Sequence, residues 1–306
     1  MKGLELSEKF YNACGKPMLE SLFAGQFDRL AVGLVGHGSE CFGFDDEISR
    51  DHDFEPRFMI WLTREDESKF GFKLLRAYNN LPKTFEGATV GKRSAFGSDG
   101  KGVKIIEDFY DFYTGGGLPT TNAEWLSIPD FYLAEATNGR VFFDGLGEFT
   151  KIREYLLHGR PIDVRLKKLA SALFYMAQSG QYNYMRCVSH GENVAAAIAL
   201  TQFVKSAMEA VFLLNDVYAP YYKWTFRAML GLRELSGLGE SLEKMLAAPY
   251  DEATNAPLVE SVCADVIKYL KDNGFCGDRG LYLEPYAYAV NDLIKDGQLR
   301  NSPIML

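Results

Sequence analysis

Asp51 and Asp53 place two carboxylates at the spacing of one strand face, between the apolar ends of the segment GLVGHGSECFGFDDEISRDHDFEPRFMIWL. Residues i and i+2 of a strand point to the same side, so both side chains would leave one face together. Neighbouring carboxylates repel each other unless a cation lies between them. Mg²⁺ prefers such oxygen ligands. The pair therefore predicts a site for Mg²⁺ or Mn²⁺.

Gly38 and Ser39 lie upstream of this pair, and eleven residues separate Ser39 from Asp51. Glycine lets backbone N–H groups approach a phosphate closely, and the start of a helix favours an anion. The serine hydroxyl is a further donor. A phosphate-binding loop before a carboxylate pair predicts a site for a nucleoside triphosphate (NTP) and its metal. Either feature alone would be typical of an ordinary turn or a solvated strand end.

The order of these features resembles the signature of the nucleotidyltransferase superfamily, in which Gly-Ser follows one strand and Asp-x-Asp lies on the next. The segment 30–62 is most similar to a bacterial branch of that superfamily that is grouped as a domain of unknown function. That branch is related to the aminoglycoside and lincosamide nucleotidyltransferases. The resemblance implies that Gly38 and Ser39 hold the phosphates and that Asp51 and Asp53 hold the catalytic metals.

The resemblance also implies a third carboxylate on a later central strand, as a metal ligand or a base. Glu107 in the segment VKIIEDFY is the candidate, because Val103, Ile105 and Glu107 would share one strand face. Asp108 is the alternative. If neither residue faces the Asp51–Asp53 pair, the protein would bind a nucleotide without turning it over.

Three basic residues have two interpretations each. Arg50 and Arg57 flank the carboxylate pair and would either form salt bridges with neighbouring acids or contact the triphosphate. Lys223, in the aromatic segment APYYKWTF, would either belong to helix packing, which the aromatic density favours, or reach a phosphate across an interdomain cleft.

The composition bounds the classes of partner and compartment. The chain has 306 residues, a net charge of −8 and a pI of about 5.2, without the basic surface typical of proteins that grip a nucleic-acid backbone. Its five cysteines show no CxxC pair, which favours reduced thiols and a cytoplasmic location. The apolar stretch from Val194 to Val204 has eleven uncharged residues, too few to span a bilayer.

The pattern of apolar residues predicts an α+β protein of two domains. Residues 1–148 are expected to form a small mixed β-sheet with flanking helices. Its strands are predicted in RLAVGLVG, DHDFEPRFMIWLT, the start of KGVKIIEDFYDFYTGGG, and NGRVFFDG. Residues 149–306 follow a period near 3.6 and predict a C-terminal helical bundle for substrate binding or interaction.

Together these features predict a Mg²⁺-dependent nucleotidyltransferase that moves a nucleoside monophosphate from an NTP to an acceptor hydroxyl and releases pyrophosphate. The acidic balance favours a small acceptor, for which a cationic molecule bound in an acidic interdomain cleft is suitable. Two alternatives stay open: transfer to tRNA or to a protein, as in toxin–antitoxin systems, and a catalytically degenerate nucleotide-binding protein.

Overall fold

The computed structural model describes residues 1–46, 55–89, 100–247 and 251–306. The chain is an α+β protein with a small mixed sheet in its N-terminal part and a helical C-terminal region, so the predicted fold class is confirmed. Two compact units are present: residues 1–119 with 128–159, and residues 120–127 with 160–306. The predicted boundary after residue 148 coincides with the start of a helix, whereas the N-terminal unit continues to Gly159.

Six short strands are found in the described ranges: β1 (Ala31–Leu34), β2 (Met59–Leu62), β3 (Thr84–Phe85), β4 (Ala88–Thr89), β5 (Gly102–Ile105) and β6 (Arg140–Asp144). Four of them form one sheet in the order β5-β2-β1-β6, while β3 and β4 form a separate hairpin. Strand β1 is antiparallel to both of its neighbours, and β2 is parallel to β5. The sheet is therefore mixed, as its sequence pattern predicts.

Helices before residue 160 are α1 (Gly3–Phe10), α2 (Lys16–Leu22), α3 (Arg64–Asp66), α4 (Phe72–Asn79), α5 (Ile106–Thr114), α6 (Asn122–Ser127), α7 (Asp130–Thr137) and α8 (Glu148–His158). π-helical turns join α1 to α2 (Tyr11–Gly15) and α3 to α4 (Glu67–Gly71). Helix α5 ends at Gly115 in the left-handed conformation, as the glycine run after it predicts. Of these helices, α6 belongs to the C-terminal unit.

The two faces of the sheet bury different side chains because strand residues alternate. Val32, Ile60 and Leu62 lie in one hydrophobic cluster with residues of α1, α2 and α4. On the other face, Trp61 is fully buried and its ring stacks on that of Phe149, with centroids 4.0 Å apart. Both faces of the sheet are therefore covered.

The regular secondary structure in the described part of the C-terminal unit is helical. Its helices are α9 (Ile162–Met176), α10 (Met185–Ser189), α11 (Asn193–Leu214), α12 (Tyr222–Met229), α13 (Gly239–Ala247), α14 (Glu252–Asp272), α15 (Glu284–Asp292) and α16 (Gly297–Asn301). Helix α9 is central, since α6, α11, α15 and α16 all pack on it. The Lys167 ammonium, buried on α9, donates to the Asn291 side chain at 3.0 Å and to the Ser302 carbonyl at 2.8 Å, which fastens the chain terminus to the bundle.

Helix α11 has 22 residues and is, by length and composition, the one helix of the described residues that could cross a membrane. The eleven-residue stretch from Val194 to Val204 is shorter than the helix that contains it, because the helix continues through Lys205 to Leu214. The expectation that this segment is too short to span a bilayer is therefore wrong. More than half of its most apolar window, 56%, is buried inside the protein, including Leu200, Phe203 and Ala207. This burial is that of a core helix, and a cytoplasmic location stays a prediction.

Candidate functional site

The predicted phosphate loop directly follows β1 and is fixed in position by Asn138. Gly36 and Gly38 have φ angles of 110° and 132°, which side-chain-bearing residues rarely adopt. The Gly36 N–H donates to Asn138 Oδ1 at 2.7 Å, and Asn138 Nδ2 donates back to the Gly36 carbonyl at 2.9 Å. Asn138 lies between α7 and β6, so these elements hold the loop at the end of β1.

The helix expected after Ser39 is only one 3₁₀ turn, Glu40–Phe42, which ends at Gly43 with φ of 71°. The expectation that a helix dipole favours an anion here is therefore wrong, because so few peptide units add up to little dipole. Among the described residues, the backbone N–H groups of Gly38 and Ser39 donate to no backbone carbonyl, and both residues are half-buried. An anion at this loop would thus meet individual backbone donors.

Arg57, on the segment that enters β2, forms a buried ion pair with Glu40, the residue that follows Ser39. Burial by itself lowers the pKa of the Arg57 guanidinium, but the Glu40 carboxylate raises it, and the pKa lies above its usual value. Oε1 of Glu55 lies 3.9 Å from Nη1 of Arg57 and accepts a hydrogen bond from Nζ of Lys101 at 2.9 Å. The salt bridge predicted by one interpretation of Arg57 is therefore present, and contact of Arg57 with a triphosphate stays a prediction.

The register of the sheet places the loop after β1 beside residues 55–58, the described segment that enters β2. Gly33 of β1 pairs with Met59 of β2, so the loop after β1 and the segment before β2 are adjacent. Asp51, Asp53 and Arg50 lie outside the described residues, and their predicted roles stay predictions. Across the described ranges, no group of three or more His, Cys, Asp or Glu side chains is arranged to hold a metal.

The placement of Glu107 on a strand is wrong, because β5 ends at Ile105 and Glu107 lies in the first turn of α5. Strands β2 and β5 are parallel, with Met59 paired with Gly102 and Leu62 with Ile105. The far end of this ladder is about 10 Å from Met59 along the strand, and Glu107 follows two residues after it.

The alternative third carboxylate, Asp108, also lies in the first turn of α5, beyond the far end of the β2–β5 ladder. Its exposed side chain forms an ion pair with Arg64, which lies just beyond the end of β2. At the other end of the ladder, next to the loop, the residue before β5 is Lys101, a cation. Neither Glu107 nor Asp108 lies at the end of β2 that adjoins the loop after β1.

Glu135 of α7 is a carboxylate at this edge that the sequence motifs do not single out. Its side chain is only 9% exposed, and Oε1 lies 3.4 Å from Nδ1 of His37 in the loop, whose side chain is 48% exposed. Burial raises the pKa of the nearby Tyr113 hydroxyl, and the charge of Glu135 adds to that shift. The signal in the sequence was a lone glutamate among apolar residues, YLAEAT, since buried carboxylates are rare without a function or a partner.

Lys223 lies at the start of α12 in the C-terminal unit. Its side chain is exposed, and Nζ is 4.8 Å from the ring centroid of Trp224. This cation–π contact accounts for the position of the ammonium group within its own unit. A role for Lys223 in nucleotide binding stays a prediction.

Comparison with known families gives one match. The model of a family described as "Domain of unknown function (DUF4037)" matches residues 125–225. The matched segment includes Glu135 and Asn138, which contact the loop, and Lys223, but neither Gly38-Ser39 nor Asp51 and Asp53. A search of curated proteins finds no match.

Proposed function

We propose that the protein binds an NTP with Mg²⁺ at the edge formed by the Gly36–Ser39 loop and the segment entering β2. The observation that carries the proposal is the buried Arg57–Glu40 ion pair. Glu40 directly follows Ser39 and Arg57 follows Asp53 by four residues, so the ion pair links the end of the loop to the described segment that comes after the carboxylate pair in the sequence. A phosphate-binding loop and a metal-binding carboxylate pair must be adjacent to hold one triphosphate.

In the proposed site, the Gly38 and Ser39 N–H groups and the Ser39 hydroxyl donate to phosphate oxygens. Asp51 and Asp53 supply the hard oxygen ligands that Mg²⁺ or Mn²⁺ prefers. The metal, when bound, offsets the triphosphate charge and lowers the pKa of a hydroxyl beside it. Arg57 holds the loop through Glu40.

The reaction proposed for this site is transfer of a nucleoside monophosphate to an acceptor hydroxyl. The acceptor oxygen forms a bond to the α-phosphorus, the bond to the β-phosphate oxygen breaks, and pyrophosphate leaves. Glu135, rather than Glu107 or Asp108, is the carboxylate placed to accept the hydroxyl proton, because it lies beside the loop. We keep a small hydroxyl-bearing acceptor, as expected from the acidic net charge of −8.

A second candidate function is nucleotide binding without turnover. Two observations favour it. Glu107 and Asp108 do not lie at the end of β2 that adjoins the loop, and the residue before β5 at that end is the cation Lys101. Transfer to tRNA or a protein stays an alternative acceptor within the first candidate.

Calorimetry with each NTP in Mg²⁺ and in EDTA tests the binding step. We expect Mg²⁺-dependent binding that is lost in Asp53→Asn, with the unfolding transition of the variant unchanged. Equal affinity in EDTA would exclude the metal role, and no binding of any NTP would contradict the proposal as a whole.

Incubation with α-³²P-labelled NTPs, Mg²⁺ and the small-molecule fraction of a cell extract tests turnover. We expect a labelled product and pyrophosphate. Glu135→Gln should slow the reaction roughly 10²–10⁴-fold, the range for loss of a general base. Asp108→Asn, the matched control at the opposite end of β2, should leave it unchanged. Mg²⁺-dependent binding with no labelled product would favour the second candidate.

A further inference from the structure

A cavity of about 590 Å³ lies in the N-terminal unit around β5, the strand at one edge of the sheet. Residues of α4, β5 and α5 line it, and its walls are mainly apolar and aromatic: Phe72, Leu75, Val103, Phe109, Phe112 and Tyr113. Ligand sites in proteins are typically roughly 300–1,000 Å³ and mainly apolar. The cavity therefore has the size and the lining of a site for a small molecule.

Three large apolar side chains around this cavity are open to solvent. Phe72 is 77% exposed, Phe112 is 62% exposed and Leu75 is 41% exposed. They come from two helices, α4 and α5, and all three line the same cavity. Contiguous exposed apolar surface of this kind marks ligand or partner sites more often than chance.

Lys104 gives the cavity its charge preference. It lies on β5, is half-buried, and forms no hydrogen bond or ion pair through its ammonium group among the described residues. Of the two acids that also line the cavity, Asp108 is paired with Arg64, and Glu67 is exposed, with its side chain folded against Gly71. Because water screens an exposed charge more than a half-buried one, Lys104 is the stronger influence on a ligand inside.

We propose that this cavity binds a small planar aromatic anion, such as an aryl carboxylate or aryl sulfonate. The anionic group would pair with Nζ of Lys104, and the ring would lie against Phe109 and Phe112. Aromatic walls favour a ring by offset or edge-to-face contacts. An anion satisfies the lysine that the described residues leave without a counterion. The site uses none of the residues assigned to the triphosphate and does not depend on the proposed transfer reaction.

Fluorescence titration of the full chain with 1-anilinonaphthalene-8-sulfonate, an aromatic anion, tests the proposal. N-phenyl-1-naphthylamine, which has a similar ring system without the charge, is the neutral matched probe. We expect saturable binding of both. Lys104→Gln should weaken the sulfonate about tenfold, as for loss of a charged hydrogen bond, and leave the neutral probe unchanged. Phe112→Ser should weaken both.

Lys73→Gln is the control, since Lys73 is exposed on α4 and does not line the cavity. It should bind both probes as the natural sequence does. Near-ultraviolet circular dichroism of each variant identifies any that has lost its packing. Sulfonate binding unchanged by Lys104→Gln, or equal weakening of both probes, would overturn the assignment of an anion site. No saturable binding of either probe, or binding indifferent to Phe112→Ser, would overturn the site itself.

Discussion

Gly38 is a loop residue with little freedom to change. Its φ of 132° lies in the range that side-chain-bearing residues rarely adopt. A Cβ atom placed on it would lie 2.6 Å from Oε2 of Glu40. The Glu40 side chain cannot easily move aside, because its carboxylate is held in the buried ion pair with Arg57.

Gly38→Ala is therefore expected to lower the free energy of unfolding by about 1–3 kcal/mol, the range for a strained backbone position. Gly87→Ala is the matched control. Gly87 also has a positive φ, 83°, but a Cβ there would meet no atom within 4 Å. Urea unfolding measures the stability of both variants. Gly87→Ala reports the backbone strain alone, and Gly38→Ala reports the strain together with the contact between Cβ and Glu40. We expect the Gly38 variant to lose more stability and also to lose NTP affinity. Equal losses of stability would show that the contact with Glu40 contributes nothing.

At the scale of elements, the junction of β5 and α5 shows how one pattern can fit two structures. The alternation of Val103 and Ile105 continues to Glu107 if the strand continues, but the chain becomes helical at Ile106. Two acidic residues in the first turn, Glu107 and Asp108, suit the positive end of the helix dipole. Acidic residues after an apolar run are a helix-start signal, and here they mark the boundary at Ile106.

Helix α4 packs on the segment entering β2 through Tyr78. The rings of Tyr78 and Phe58 are 5.2 Å apart at 75°, and the Tyr78 hydroxyl donates to the Phe58 carbonyl at 2.7 Å. Burial is the main cause that raises the pKa of Tyr78 to about 12. The unfolded chain releases this proton near pH 10, while the folded chain retains it, so folding loses stability as pH rises from about 10 to about 12.

Tyr78→Phe should remove this part of the alkaline destabilisation. The slope of unfolding free energy against pH should be less steep by up to about 1.4 kcal/mol per pH unit in that window. At neutral pH the variant should be about 1 kcal/mol less stable, because a hydrogen bond is lost. Urea unfolding at several pH values between 7 and 11.5 measures both effects. An unchanged alkaline slope would show that Tyr78 ionises equally in both states.

At the scale of the whole molecule, the chain passes between its two units three times, because α6 belongs to the C-terminal unit while α7 and α8 belong to the N-terminal one. Each unit contains one fully buried tryptophan: Trp61 on β2 and Trp125 on α6. Each unit has its own interior, which is the usual condition for separate local stability.

Trp125→Ala is expected to lower amide protection mainly in α9 and the helices packed on it, with a loss of about 3–5 kcal/mol. Trp61→Ala, the matched variant in the other unit, should act mainly on the sheet. Native-state hydrogen exchange followed by mass spectrometry measures protection in both units. Equal loss of protection in both units from either variant would mean that the chain unfolds as one cooperative body.

Much of the fold follows from the sequence by itself. Apolar runs and their periods correctly predicted β1, β6 and a helical second half, because these patterns match the geometry of strands and helices directly. The proposed chemistry likewise follows from residue type and spacing alone, at Gly38-Ser39 and at Asp51-x-Asp53.

Only the tertiary structure determines which charged groups lie beside the loop that follows β1. Glu135 and His37 are 98 positions apart in the chain, and no local pattern reports such a contact. Glu107 closely follows β5 in the sequence, yet β5 is an edge strand and its parallel pairing with β2 places Glu107 at the end of β2 away from the loop. Local sequence patterns determine the period of helices and strands and the positions of turns. Strand pairing determines which strand ends lie side by side, and a local pattern cannot report it because the paired residues are far apart in the chain.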